Sequence, residues 1–374
     1  MKQTFLMTGA RWIVGLCLLG GWGATLARAE GEPLNETREI VGILKARYVD
    51  QEKLDDKQLQ DASITGILQA LGSGAQILAA DQTNSLARHP AAGSGATGPV
   101  ARAEVIDPRI AYLRVADVTD GASAAVDGAL KQLGSAKVNG YILDLRFADG
   151  TNYAEAASVA SRFVDPGVEL FSVVVAQGDP KSFRSAADGS TPRLPTKLSE
   201  APLMVLVNGQ TQGSAEALAG ALRAQQRCIV IGGKTAGSAA AWEEVKLGDG
   251  RRLRLATAKV VLPAAGETAA KNQPPSSSLF PGGVTPDIAV KIDSAVESDL
   301  LFHAPTNATL TATLEPRPMK KGLSEAELVK AFKGEAVDTP TANAEETEIQ
   351  PVRDVVLQRA VDILKGIRVL LSWR

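Results

Sequence analysis

Between residues 110 and 231 short β-branched runs alternate with helical ones, and this alternation constrains the fold more than any other feature of the chain. Ile110 to Val115 reads as a strand, the Ala-rich run Ala122 to Leu133 as a helix, Tyr141 to Leu145 as a strand and Tyr153 to Phe163 as a helix. Strands Leu170 to Val175 and Leu203 to Val207 follow, then a helix from Ser214 to Arg223 and a strand from Cys228 to Ile231. Strands separated by helices of this length specify an α/β layer architecture. From Trp242 to Leu262 the pattern changes to short extended runs around Gly248-Asp249-Gly250, which predicts a hairpin.

The flanks differ in kind. Ile40, Ile43, Leu44, Ile64, Ile67, Leu68 and Leu71 fall at helical spacing and predict two short helices around a Tyr48-Val49-Asp50 turn. Ala79 to Ala103 is rich in Ala, Gly, Ser and Pro without an apolar period and reads as a flexible linker. The expected organisation is a leader over 1–29, a helical segment over 30–78, the linker over 79–104 and the core over 105–300. A polar insertion over 301–350 follows, with one helical patch at Ser324 to Phe332, and then a closing helix over 351–374. Val352, Val355, Val356, Ala360, Ile363, Leu364 and Ile367 supply the apolar face of that helix.

Lys2 and Arg11, the apolar stretch Trp12 to Leu26 and Ala27-Arg28-Ala29 follow the order of a secretory signal peptide. The stretch is broken by Gly15, Gly20, Gly21 and Gly23 and falls short of the roughly 20 apolar residues of a membrane span, although an uncleaved anchor is the competing reading. Cleavage after Ala29 leaves a periplasmic or extracellular protein without a membrane span. Cys17 departs with the leader, so Cys228, in an apolar run, is left as a buried thiol without a disulfide partner.

At 45% hydrophobic and 22% charged residues, with a net charge of −2 and no basic cluster in the sequence, the composition argues against nucleic acid or anionic membrane as a partner. His89 and His303 stand far apart without neighbouring Cys or carboxylate spacing, so neither a metal nor a cofactor is expected.

Several segments resemble the C-terminal processing (tail-specific) serine peptidases. Arg38 to Leu71 is similar to that family's N-terminal helical segment, and Tyr141-Ile142-Leu143-Asp144-Leu145-Arg146 to its strand ending in Asp-Leu-Arg. Val207-Asn208, Ser214-Ala215-Glu216 and Ala219-Gly220-Ala221-Leu222 resemble the nucleophile turn and its helix. Gly232-Gly233-Lys234-Thr235-Ala236-Gly237, Ala256-Thr257-Ala258-Lys259 and Gly283-Val284-Thr285-Pro286-Asp287 complete the match in order. The resemblance implies a ClpP/crotonase-like α/β peptidase core, flanked by an N-terminal helical segment and a C-terminal helix.

Two departures stand out. The family's peptide-binding PDZ domain is replaced by the short linker, far below the size of an independent domain. Aligned without a gap from Val207 to Trp242, the family's nucleophile position is Gly213 and its general-base position is Ser238, while Lys234 matches a different, non-catalytic lysine. A serine-lysine dyad needs a hydroxyl at a helix start and an amine of lowered pKa beside it, and these two residues supply neither. By resemblance the oxyanion donors are the backbone N–H groups of Gly150 and Ser214, but Asp149 brings a carboxylate where negative charge would develop.

The remaining polar residues have two readings each. Ser214 is a helix cap or a displaced nucleophile, Lys234 a solvated loop charge or a displaced base, and Glu216 an assistant to the dyad or the N3 member of a capping box opening at Gly213. Asp144 and Arg146 read as a structural ion pair. Three functions follow: an inactive relative (a pseudoenzyme) that binds polypeptides in the family's cleft, an active serine-type endopeptidase performing proteolysis with Ser214 and Lys234, or a structural envelope protein with a vestigial cleft. The processed protein is expected to begin at Glu30. Intact-mass measurement of the form recovered outside the cytoplasm checks this, and retention of Met1 in a membrane pellet would contradict it.

Overall fold

The computed structural model describes residues 32–48, 55–79, 98–107, 109–134, 138–187, 193–194, 201–263, 277–302, 310 and 353–372. The expected leader, residues 49–50 of the Tyr48-Val49-Asp50 turn, most of the linker, both histidines and the Ser324 to Phe332 patch lie outside the described residues. The chain divides into two units, Met1–Leu71 and Gly72–Arg374. The first contains helices α1 (Glu32–Arg47) and α2 (Asp56–Leu71), tied to each other by an ion pair between Lys45 and Asp56.

The second unit is an α/β assembly with two sheets. Its elements are β1 (Ala75–Leu78), β2 (Val100–Asp107), β3 (Ile110–Val115), α3 (Ala122–Leu133), β4 (Gly140–Asp144), α4 (Tyr153–Ala160), β5 (Glu169–Val175) and β6 (Lys181–Arg184). After them come β7 (Leu203–Val207), α5 (Gly213–Ala224), β8 (Ile229–Gly232), β9 (Ala240–Lys246), β10 (Arg252–Leu262), β11 (Ser277–Ser278), β12 (Ile288–Ala289), α6 (Ser294–Phe302) and, last in the chain, α7 (Val355–Ser372). One sheet has the order β12-β8-β7-β4-β3-β2. It is parallel from β12 to β3 and antiparallel only at β2. In the other, β10 pairs with β1, β5, β9 and β11, and β6 extends β5.

Period-two alternation explains why the parallel sheet forms where the β-branched runs lie. Leu113, Val115, Leu143, Val205 and Val207 point into a core shared with α3, α4 and α5, and the same core takes in Leu170, Phe171 and Val260 of the second sheet. Tyr112, Ile142, Met204 and Leu206 point the opposite way, into a core closed by α7. Strands covered on both faces read as continuous apolar runs, as Leu-Met-Val-Leu-Val of β7 does.

The closing helix uses a face rotated from the expected one. Val356, Ala360 and Leu364 are buried as anticipated, but Leu357 and Val361 complete the stripe and Val355 is 44% exposed. The sheet beneath selects the face that fits it. Residues 100–104, expected as linker, are strand β2, because antiparallel pairing with β3 overrides their weak pattern. Residues 75–78, placed with the N-terminal helices, pair instead with β10 of the second unit. The hairpin at Gly248-Asp249-Gly250 closes as expected, with Leu247 N–H donating to the Arg251 carbonyl at 2.8 Å. Among the described residues no helix is long and apolar enough to cross a membrane.

A buried ionic cluster joins the two ends of the second unit. Arg146 is fully buried; its Nη2 donates to Asp144 Oδ2 at 2.6 Å and Asp354 Oδ2 at 2.7 Å, and its Nη1 to Glu297 Oε1 at 3.3 Å. Tyr112 Oη donates to Asp144 at 2.7 Å, Asn208 Nδ2 donates to Glu297 at 2.9 Å, and Leu357 N–H donates to Asp354 at 2.9 Å at the start of α7. Burial alone would raise the Asp144 pKa, but the Arg146 charge and hydrogen bonds outweigh it and hold the carboxyl below its ordinary value. Removing one partner from such a pair leaves charge buried without compensation, a loss of about 3–5 kcal/mol. Asp354→Ala is therefore expected to lower stability by that amount in urea titration. Breaking the half-exposed Arg252–Glu244 pair with Arg252→Ala should cost no more than about 1 kcal/mol.

Candidate active site

Parallel pairing of β4 with β7 places their C-terminal loops side by side, and backbone groups stitch the two together. Thr211 Oγ1 donates to the Leu145 carbonyl at 2.8 Å, Phe147 N–H to Asn208 Oδ1 at 3.1 Å, and Gln212 N–H to the Ala148 carbonyl at 3.0 Å. The last stitch runs from Ser214 N–H to the Gly150 carbonyl at 2.9 Å. Gly150 N–H in turn donates to the Asp149 carboxylate at 2.6 Å. Both N–H groups that the family resemblance assigns to the oxyanion hole are thus engaged within this loop pair.

Gly213, the first residue of α5, has φ 60°, a left-handed conformation that L side chains rarely adopt. A Cβ placed there would run into the Gly150 carbonyl oxygen, and Asp149 Oδ1 stands 3.2 Å from the same point. The volume that a nucleophile's side chain would need is filled by a carbonyl and a carboxylate. Gly150 is equally confined, since a Cβ on it would meet Ser214 Oγ and the Val118 carbonyl.

Ser214 is fully buried and its hydroxyl donates to the Val118 carbonyl at 2.9 Å. It caps nothing, for the N-cap position is Gln212, whose side chain makes no capping bond. The Ser214 hydroxyl instead ties α5 to the segment before α3, a partner that nothing in the local sequence announces.

Glu216 is likewise not a capping-box residue. Its carboxylate reaches across to the loop after β8, accepting from the Thr235 hydroxyl, from Gly237 N–H at 2.7 Å and from Ser238 N–H at 2.9 Å. Burial pushes its pKa above the ordinary carboxylate range against the pull of these bonds. Thr235 continues the chain of contacts, because its Oγ1 also accepts from Val284 N–H at 2.7 Å. Glu216 therefore holds together the helix that carries position 213 and the loop that carries position 238.

Lys234 is exposed, next to that loop's buried threonine in sequence. Ser238 is half-buried. Tyr153, missed in the sequence because its helix carries no site pattern, donates from Oη to the Ala240 carbonyl at 3.0 Å. Its pKa is raised by burial and then by the neighbouring carboxylates Glu216 and Asp149, which marks the site as electronegative. Among the described residues no group of three or more His, Cys, Asp or Glu is arranged to hold a metal ion.

An S41 peptidase domain spans residues 109–290. That region matches peptidase family S41, and carboxy-terminal-processing proteases are among the proteins the chain is similar to. It is 28% identical over 271 residues to the carboxy-terminal-processing protease of Bartonella bacilliformis, covering 70% of this chain and 53% of that protein. It is 31% identical over 182 residues to the chloroplastic carboxyl-terminal-processing peptidase 2 of Arabidopsis thaliana, covering 48% of this chain and 32% of that protein. The solved photosystem II D1 C-terminal processing protease is 28% identical, with a TM-score of 0.36, over 49% of this chain and 42% of that one. The chain thus spans about half or less of the length of these relatives.

A left-handed backbone and a carbonyl in the side chain's place make position 213 intolerant of any Cβ. Gly213→Ala should lower stability by at least about 1–3 kcal/mol, the cost of the strained backbone alone. Ser238→Ala should stay within about 0.5 kcal/mol. Equal stability of Gly213→Ala and the parent protein in urea titration would contradict the packing described.

Proposed function

We propose that the protein is an exported, catalytically inactive relative of the C-terminal processing serine peptidases, a pseudopeptidase that acts by binding polypeptide or envelope-protein segments. The observation that carries this reading is Gly213: no side chain is present to attack, and the space for one is taken by the Gly150 carbonyl and the Asp149 carboxylate. Ser238 supplies a hydroxyl, far too weak a base at neutral pH, where the family places its lysine. The engagement of Gly150 N–H by Asp149 adds to the reading, because a carboxylate in that position opposes the charge of a tetrahedral oxyanion.

A displaced dyad of Ser214 and Lys234 would need a mobile hydroxyl within reach of a desolvated amine. Ser214 is instead fully buried and committed to the Val118 carbonyl, and Lys234 is exposed. The short stretch in the PDZ position suits a protein that holds a segment in the core cleft rather than one that selects free C-termini.

The processed protein is expected not to cleave casein, and Ser214→Ala to leave that outcome unchanged. An oxyanion site without a nucleophile contributes only about 10³ to 10⁴ over water, too little for detectable peptide hydrolysis. Gly213→Ser with Ser238→Lys should restore little activity, since the serine would still meet the Gly150 carbonyl. Rebuilding Asp149-Gly150-Thr151 as Pro-Gly-Gly in the same variant should restore more. Robust casein cleavage abolished by Ser214→Ala or Lys234→Ala would overturn the reading in favour of an active endopeptidase. Failure to retain any peptide from an envelope extract would favour a structural protein with a vestigial cleft.

A further inference from the structure

The last turns of α7 carry an apolar surface that the core does not use. Leu370 is 69% exposed, Val369 49% and Leu371 38%. Directly beside them lies a cavity of about 240 Å³ floored by Ile110, Leu364, Ile367 and Leu371. Its lining also includes three cations, Arg109, Lys365 and Arg368. Among the described residues Asp107 pairs with two of them, 3.2 Å from Lys365 Nζ and 3.8 Å from Arg368 Nη1. Among the described residues the cavity lining itself carries these three cations and no carboxylate, around an apolar floor. The lysine and arginine side chains of α7 keep nearly half of their surface in water. The one acidic residue on the exposed face of these turns, Asp362, accepts from Gln358 Nε2 at 2.7 Å one turn back.

The cavity opens at the N-terminal ends of β3 and β4, where Arg109, Asn139 and Gly140 stand, and the candidate active site lies at the opposite, C-terminal ends of the parallel strands. An occupant here leaves the cleft clear. Composition argues against an anionic membrane as a partner, but the fold gathers Arg109, Lys365 and Arg368 from opposite ends of the second unit, and we propose that this end of α7 and the cationic cavity beside it form a docking surface for an anionic lipid bilayer. Val369, Leu370 and Leu371 enter the headgroup boundary, and Arg109, Lys365 and Arg368 meet the anionic headgroups. The complementarity is that of an amphipathic helix lying on a membrane, with an apolar tip to insert and flanking cations to hold it at the surface. A second copy of the chain fits less well, because a two-fold contact would set the same three cations face to face. The proposal is independent of whether the core cleaves peptides.

Co-sedimentation of the processed protein, from Glu30 onward, with vesicles tests it, since that form lacks the apolar run Trp12 to Leu26. Binding is expected to vesicles of phosphatidylglycerol and phosphatidylcholine at about 30:70, to fall with added salt, and to be much weaker with phosphatidylcholine alone. Each cation replaced by glutamine should weaken partitioning about fivefold, equivalent to about 1 kcal/mol per charge, and the triple variant by roughly 100-fold. Leu370→Asp, at the most exposed of the apolar positions, should abolish binding without shifting the melting temperature and so separates lipid contact from misfolding. Equal binding of Leu370→Asp and the parent, equal binding to both lipid compositions, or capture of polyglutamate with no vesicle binding would each overturn the proposal.

Discussion

A single guanidinium, that of Arg146, binds the second unit together. It leaves the end of β4 just before the loop that reaches Gly150, and it is surrounded by Asp144 on its own strand, Glu297 on α6 and Asp354 at the start of α7. A buried charge of this kind is stable only when its geometry is good and its remaining donors are satisfied. Here both conditions are met by residues from three distant parts of the chain. The same network runs through Asn208, which bonds Glu297 with its amide nitrogen and Phe147 N–H with its oxygen. Docking of the two C-terminal helices and the position of the β4 loop thus share one set of hydrogen bonds.

From that anchor the loop pair is defined residue by residue to Gly213. The stitches at Leu145, Phe147, Ala148 and Gly150 leave little freedom for Asp149 and Gly150: the Gly150 carbonyl accepts from Ser214 N–H at the start of α5, and the Gly150 N–H donates to the Asp149 carboxylate. In an acyl-transfer enzyme free donors would face the developing oxyanion. Here the donors face neighbouring oxygens, and two carboxylates, Asp149 and Glu216, lie close enough to raise the Tyr153 pKa together with burial. The absence of a side chain at position 213 and the closure of the space around it are one packing arrangement, because only a residue without Cβ accepts φ 60° against the Gly150 carbonyl.

The carboxylate of Glu216 shows how such an arrangement holds together. It spends its hydrogen bonds on Thr235, Gly237 and Ser238, so the helix of position 213 and the loop of position 238 stay in register. Buried and multiply bonded, it serves as a structural clasp between positions 213 and 238.

Residue order alone determined the layer class, all the strands and helices between Ile110 and Ile231 except β6, the family resemblance, and the identities of Gly213 and Ser238. These are legible because period-two and helical patterns, and a gap-free segment from Val207 to Trp242, are local properties. Tertiary structure decided the rest. Strand β2 emerged from a stretch that reads as linker because β3 offered it an edge, and α7 turned Leu357 and Val361 inward because the sheet selected its face. Ser214 found the Val118 carbonyl, Glu216 found the loop at 235–238, and Arg109 came to stand beside Lys365 and Arg368 from the other end of the chain. Each is a contact between residues remote in sequence. Such contacts arise from how the elements stack, so no local pattern records them, whereas the patterns that build the elements are written in the residues themselves.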